Sequence, residues 1–123
     1  MKIELHTQTK EIKDGKLEKK QDKFIADLDM SLASQMRYEA KFPELAEKED
    51  LYSYSKRISE VQETTAPVII SKMKMLYCWF DTEIRFVDFL KLFDLTDIEY
   101  VKKLTKEMQE IFTIILEGSA EKN

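Results

Sequence analysis

Pro67–Asp81 reads PVIISKMKMLYCWFD, and only Lys72, Lys74 and Asp81 in it carry full charges. Thr64 or Thr65 can cap a helix just ahead of it, and Pro67 fits the first turn, where its missing N–H costs little. The spacing predicts a helix that runs to about Phe80. On a wheel of about 100° per residue, Ile69, Met73, Leu76 and Phe80 share one face, which reads as the core side. Val68, Met75 and Trp79 form a second apolar row about 100° away. Ile70 and Tyr77 form a third. The apolar arc covers about 220°, against about 100° for a helix on the surface of a globular domain. From Ala66 to Leu95, 19 of 30 residues are apolar or aromatic. A central helix wrapped by its neighbours explains this, but the chain has few helices to do the wrapping. The second explanation is a surplus that meets another surface, either a second copy or a client.

Working outward, Arg85–Asp94 (RFVDFLKLFD) predicts a short helix with Phe86, Phe89, Leu90 and Phe93 apolar. Thr96 with Glu99 three positions on reads as a capping box for a last, long helix. Its stripe is Ile98, Val101, Leu104, Met108, Ile111, Phe112 and Ile115, and Gly118 is placed as its C-terminal cap. Towards the N-terminus, Leu51, Tyr54, Ile58 and Val61 make one stripe of another helix. Ser31 opens a further helix that Pro43 stops, because the residue before a proline avoids the α region. The first 23 residues are the most polar part of the chain. There Ile3 and Leu5 alternate as in a half-buried strand. Asp14-Gly15 is a favoured two-residue hairpin turn, which would set Ile12 opposite Leu17. The alternative for this segment is an extended basic arm. The expected fold is therefore mainly α, a compact bundle of about five helices with a short N-terminal β-hairpin or extended arm. One domain spans 1–123, with the arm at 1–25, the helical body at 30–117 and a tail at 118–123.

With 123 residues the length fits one domain. A net charge of −4 weighs against nucleic acid, which needs a cationic face, and against anionic membrane. Cys78 is the single cysteine, so no internal disulfide can form and a reducing, intracellular setting is expected. The opening MKIELHTQTKEIK has no apolar signal-peptide core, and no run nears the ~18 apolar residues of a membrane helix.

Catalytic chemistry is not expected. His6 lies in the polar arm and Cys78 mid-helix among aromatics, so the pair reads as a surface imidazole and a buried thiol rather than a nucleophile and its base. Zinc lacks a Cys/His cluster to hold it. Asp27 with Asp29, and Asp94 with Asp97, could pair for metal or acid–base work, but acids near helix starts usually serve the helix dipole. The expectation is no catalytic set, no metal and no cofactor.

Several segments in order resemble a known family. They are Ser31, Arg37-Tyr38-Glu39, Phe42-Pro43, Tyr54, Arg57-Ile58, MKMLYCWF (73–80) and FVDFLKLFDLTDIEYVKKLTKEMQEIF (86–112). Together they resemble the tail assembly chaperones of siphophages that infect Gram-positive bacteria, over roughly Ile3 to Leu116. Tyr38 stands where many relatives would carry Trp, and the arm is richer in lysine. The resemblance implies a non-enzymatic protein of the host cytoplasm, forming homo-oligomers. Its client would be the tape measure protein, whose apolar helical stripes it would coat until the tail tube protein polymerises. The alternative is a self-assembling structural component of a phage tail or connector. On either reading, Ile69, Met73, Leu76 and Phe80 are assigned to the core of the greasy helix. Val68, Met75, Trp79 and Phe86 are assigned to contact with client or neighbour. Trp79 is the foremost hot-spot candidate by residue type.

Overall fold

A computed structural model of the protein describes residues 1–121. In chain order the elements are β1 (Lys2–Lys13), β2 (Lys16–Leu28), α1 (Leu32–Lys41), α2 (Pro43–Ala46), α3 (Leu51–Ser59), α4 (Ala66–Trp79), β3 (Phe80–Asp81), α5 (Phe86–Leu90) and α6 (Ile98–Glu121). The strands form one antiparallel sheet in the order β1-β2-β3. The expected mainly-α five-helix bundle is thus corrected to a mixed fold, a three-stranded sheet with six helices. The arm is polar overall, yet it adds Ile3 and Leu5 to the hydrophobic core, joined by Ala26 just beyond it.

Asp14 and Gly15 both take positive φ, 53° and 75°, as a two-residue hairpin turn requires. The register that follows pairs Ile12 with Leu17. The hairpin is far longer than a short one, and its outer part has little to hold it together. Lys13 faces Lys16, Glu11 faces Glu18 and Lys10 faces Lys19. Like charges directly opposite destabilise a pair of strands. Every residue from Glu11 to Lys23 is exposed, and a Cβ added at Gly15 would meet nothing within 4 Å. This half of the hairpin projects from the body into solvent.

The inner half docks. Ile3, Leu5 and Thr7 alternate inward on β1, as strand geometry dictates. The His6 backbone N–H donates to Glu107 Oε1 on α6 at 2.9 Å, and the imidazole Nδ1 meets the other oxygen of the same carboxylate. The Tyr100 hydroxyl donates to the His6 carbonyl at 2.7 Å.

Local signals fix most helix starts. Ser31 caps α1 through its side chain, and Asp50 caps α3 by accepting from the Ser53 N–H. Pro67 sits in the first turn of α4. Three details differ from the sequence reading. Asp97, not Thr96, accepts from the Tyr100 N–H at the start of α6, while Thr96 bonds to Asp94. Helix α6 continues through Gly118 to Glu121, so Gly118 does not end it; 122–123 lie outside the described residues. Ile98, counted in the apolar stripe, is exposed.

Helix α4 lies at the centre, against α1, α3, α5 and β3. Its chain leaves the helix directly into β3, where Phe80 pairs with Leu28 and Asp81 with Asp27. Phe80 then packs on Phe24 and Phe89, joining sheet, α4 and α5 in one aromatic cluster. Lys72 is the exception within this helix, a lysine only 4% exposed. Its ammonium donates to the Val61 carbonyl at 2.8 Å and lies 5.9 Å from the centre of the Phe112 ring. Burial lowers its pKa below the usual lysine range.

Candidate protein-binding surfaces

The structure puts Ile69, Met73, Leu76 and Phe80 inside the core. It also buries two of the four residues assigned to contact. Met75 has no exposed surface, and Trp79 is 7% exposed. The Trp79 indole N–H donates to Ser55 Oγ on α3 at 2.9 Å, and Ser55 in turn donates to the Leu51 carbonyl at 2.7 Å. Val68 and Phe86 are half-buried. Within one copy the surrounding helices and β3 bury eight of the fourteen residues of α4, leaving Ala66, Pro67 and Ile70 exposed. Of the outer rows, Ile70 is 37% exposed and Val68 half-buried, while Tyr77 is buried.

Two groups of apolar side chains on the helical body reach solvent. The first is a ridge. Phe42 and Phe86 stack edge to face with ring centres 5.1 Å apart, and Phe86 lies 5.2 Å from Tyr77. The Lys74 ammonium sits 5.7 Å from the centre of the Phe42 ring. Ile70, one turn before Lys74 on α4, and Val87, next to Phe86, extend this surface with exposed side chains. The proline that stops α1 positions Phe42 here, since it forces the chain out of the helix at that residue.

The second is an open groove of about 760 Å³ between the starts of α1 and α3, lined by Met30, Leu32, Leu51, Tyr52 and an edge of Trp79. Leu32 is 85% exposed and Met36, four positions on along the same face, is 71% exposed. Asp50 stands on its rim, and Glu39 continues the α1 side, hydrogen-bonded to the groove residue Gln35. Large exposed apolar side chains gathered beside a concave surface mark contact sites more often than stray ones do.

The candidate chemical groups serve the fold. Burial raises the Cys78 thiol to about 12, so it stays protonated and unreactive at neutral pH. Asp29 is held down at about 2 by hydrogen bonds from Ser31, with Arg37 adding to the effect. Asp94 and Asp97 together clamp the hairpin. Gln8 Nε2 donates to both carboxylates, at 3.2 and 3.0 Å, Lys19 pairs with Asp97 at 2.8 Å and Lys10 with Asp94 at 3.3 Å. Burial pushes the Asp94 pKa up, but bonds from Thr96, Gln8 and Lys10 outweigh it and hold it at about 2. Lys19 above all, then Gln8 and the Tyr100 N–H, hold Asp97 well below the carboxylate range. A polar cleft of about 260 Å³ beside this clamp is lined by its own members and by His6, Gln21 and Lys103.

Searches against protein-family models, curated proteins and solved structures return no match to this chain. No helix among the described residues is long and apolar enough to cross a membrane.

Of the ridge only Phe86 was named from the sequence as a contact residue; Phe42, Ile70, Val87 and the groove were not. Leu32 and Met36 carry a usable signal, since they lie four apart on the same face of a helix whose buried side is Ser34 and Tyr38. The ridge carries none, because α5 and the end of α1 meet only in three dimensions.

Proposed function

We propose that the protein is a non-enzymatic tail assembly chaperone of a siphophage, acting in the host cytoplasm. It would coat the apolar helical stripes of the tape measure protein until the tail tube protein polymerises. The resemblance in residues 31–112 motivates the reading. The observation that carries it is the ridge in which exposed Ile70 and Val87 flank the half-buried pair Phe42 and Phe86 beside the core. Such a ridge can lie along one face of a client helix and gain about 25 cal/mol for each Å² of apolar area covered, without reading a particular sequence. A net charge of −4 keeps the coated filament soluble.

Co-expression with an aggregation-prone tape measure fragment tests it. The wild-type chain should hold the fragment in the soluble fraction. Ile70→Glu with Val87→Glu should release it to the pellet while the circular dichroism stays native. A fragment no more soluble with the chain than without it defeats the proposal. The projecting hairpin favours the second reading, a self-assembling tail component. That protein would be found by mass spectrometry in finished particles, whereas a chaperone would have left them.

A further inference from the structure

Lys72 is a buried charge with too few partners. An ammonium offers three N–H donors. Among the described residues one acceptor meets them, the Val61 carbonyl, and no carboxylate pairs with this lysine. The Phe112 ring stands in for part of the lost water. The field of Glu63 favours the charge, but burial outweighs it. A charge left in this state favours any motion that brings water to it.

The smallest such motion lies in the connection between α3 and α4, residues 60–65. Helices fix its two ends. The Val61 N–H donates to the Ile58 carbonyl at 3.2 Å, closing α3, and the Thr65 carbonyl accepts from the Ile69 N–H at 3.0 Å, opening α4. Between them the chain is loosely held. Val61 is half-buried and residues 62–67 are all exposed. Among the described residues, the Lys72 bond is the one hydrogen bond that ties 61–64 to α4 or α6. Glu60 and Phe112 also line a common cleft of about 370 Å³ between α3 and α6. Lifting the connection would extend that cleft inward to Lys72.

We propose that residues 60–65 are a strap that lifts without the rest of the fold, driven by hydration of the Lys72 ammonium, and so gates the cleft between α3 and α6. The ammonium acts on the strap in two opposed ways. Its bond to Val61 holds the strap down, and its missing water pushes the strap up. Under the closed strap the lysine holds its proton less tightly than it does in water, so by linkage the proton favours the open form. The strap is independent of the chaperone reading, since it concerns this chain alone.

Limited proteolysis by glutamyl endopeptidase tests it, with each cut placed by mass spectrometry. Where opening and closing outrun cleavage, the rate reports the open population. Cuts after Glu60 and Glu63 in the wild type should depend on urea far less steeply than global unfolding does. Lys72→Met fills similar space without the charge. It should slow both cuts severalfold and leave cuts after Glu11 and Glu18, in the projecting hairpin, at wild-type rates. Glu63→Gln keeps Lys72 but withdraws the field that favours its charge, and should speed the cut after Glu60. Native circular dichroism is expected for both variants. A wild type whose cuts follow global unfolding, a Lys72→Met chain cut at the strap as fast as wild type or faster, or a Glu63→Gln chain cut no faster after Glu60 overturns the strap.

Discussion

Trp79 shows how residue type and position can pull apart. By type it is the best contact residue in the chain, and by wheel it lies off the core face. Position decides, because α3 brings Ser55 to its indole nitrogen and closes over the ring. Trp79→Ala is therefore expected to cost about 3–5 kcal/mol, the usual range for removing a buried Trp. Urea unfolding followed by circular dichroism measures it, and a loss under about 1 kcal/mol, the size of a surface change, would mean the ring is not core. The wheel picked out the Ile69 face, which lies in the core, but carried nothing about which of the two outer rows would be covered. Cover is set by the neighbours, which leave Ile70 and Val68 of the outer rows partly open.

The hairpin makes the same point for an element. Its turn and register were readable, because Asp-Gly fixes the turn and the turn fixes every pairing behind it. Its length was not. Glu18 to Lys23 (EKKQDK) has no apolar residue to alternate, so nothing there announces a strand. Nor did the sequence reveal that Phe80–Asp81 would add a third strand. The clamp at the base of the hairpin gives a pH prediction. Asp94 has its pKa lowered from 3.8 to about 2, and Asp97 is lowered as well. Folded-state values below the unfolded ones stabilise the fold above the unfolded pKa, and the effect is lost as pH falls through the folded one. The amide resonances of His6 and Gln8 should thus shift to undocked positions as pH drops from 3.8 to about 2. Asp94→Asn with Asp97→Asn should show those positions already at neutral pH. Native positions in that variant would mean the carboxylates do not hold the arm.

At the scale of the molecule, the core and the arm are separate investments of sequence. The buried residues of β1 end at Gln8, and none of the buried set lies between Thr9 and Ile25. Replacing residues 11–18 with a two-residue turn should therefore leave the thermal midpoint within about 4 °C of wild type, the shift expected for a change of under 1 kcal/mol. A larger drop in differential scanning calorimetry would show that the projecting half supports the fold. The outer arm also carries an internal tension. Lys13 against Lys16 and Glu11 against Glu18 push its strands apart, and dissolved ions screen exposed charges such as these. Raising ionic strength should therefore make the arm easier to keep zipped, so a salt series would read the strain between its two strands directly.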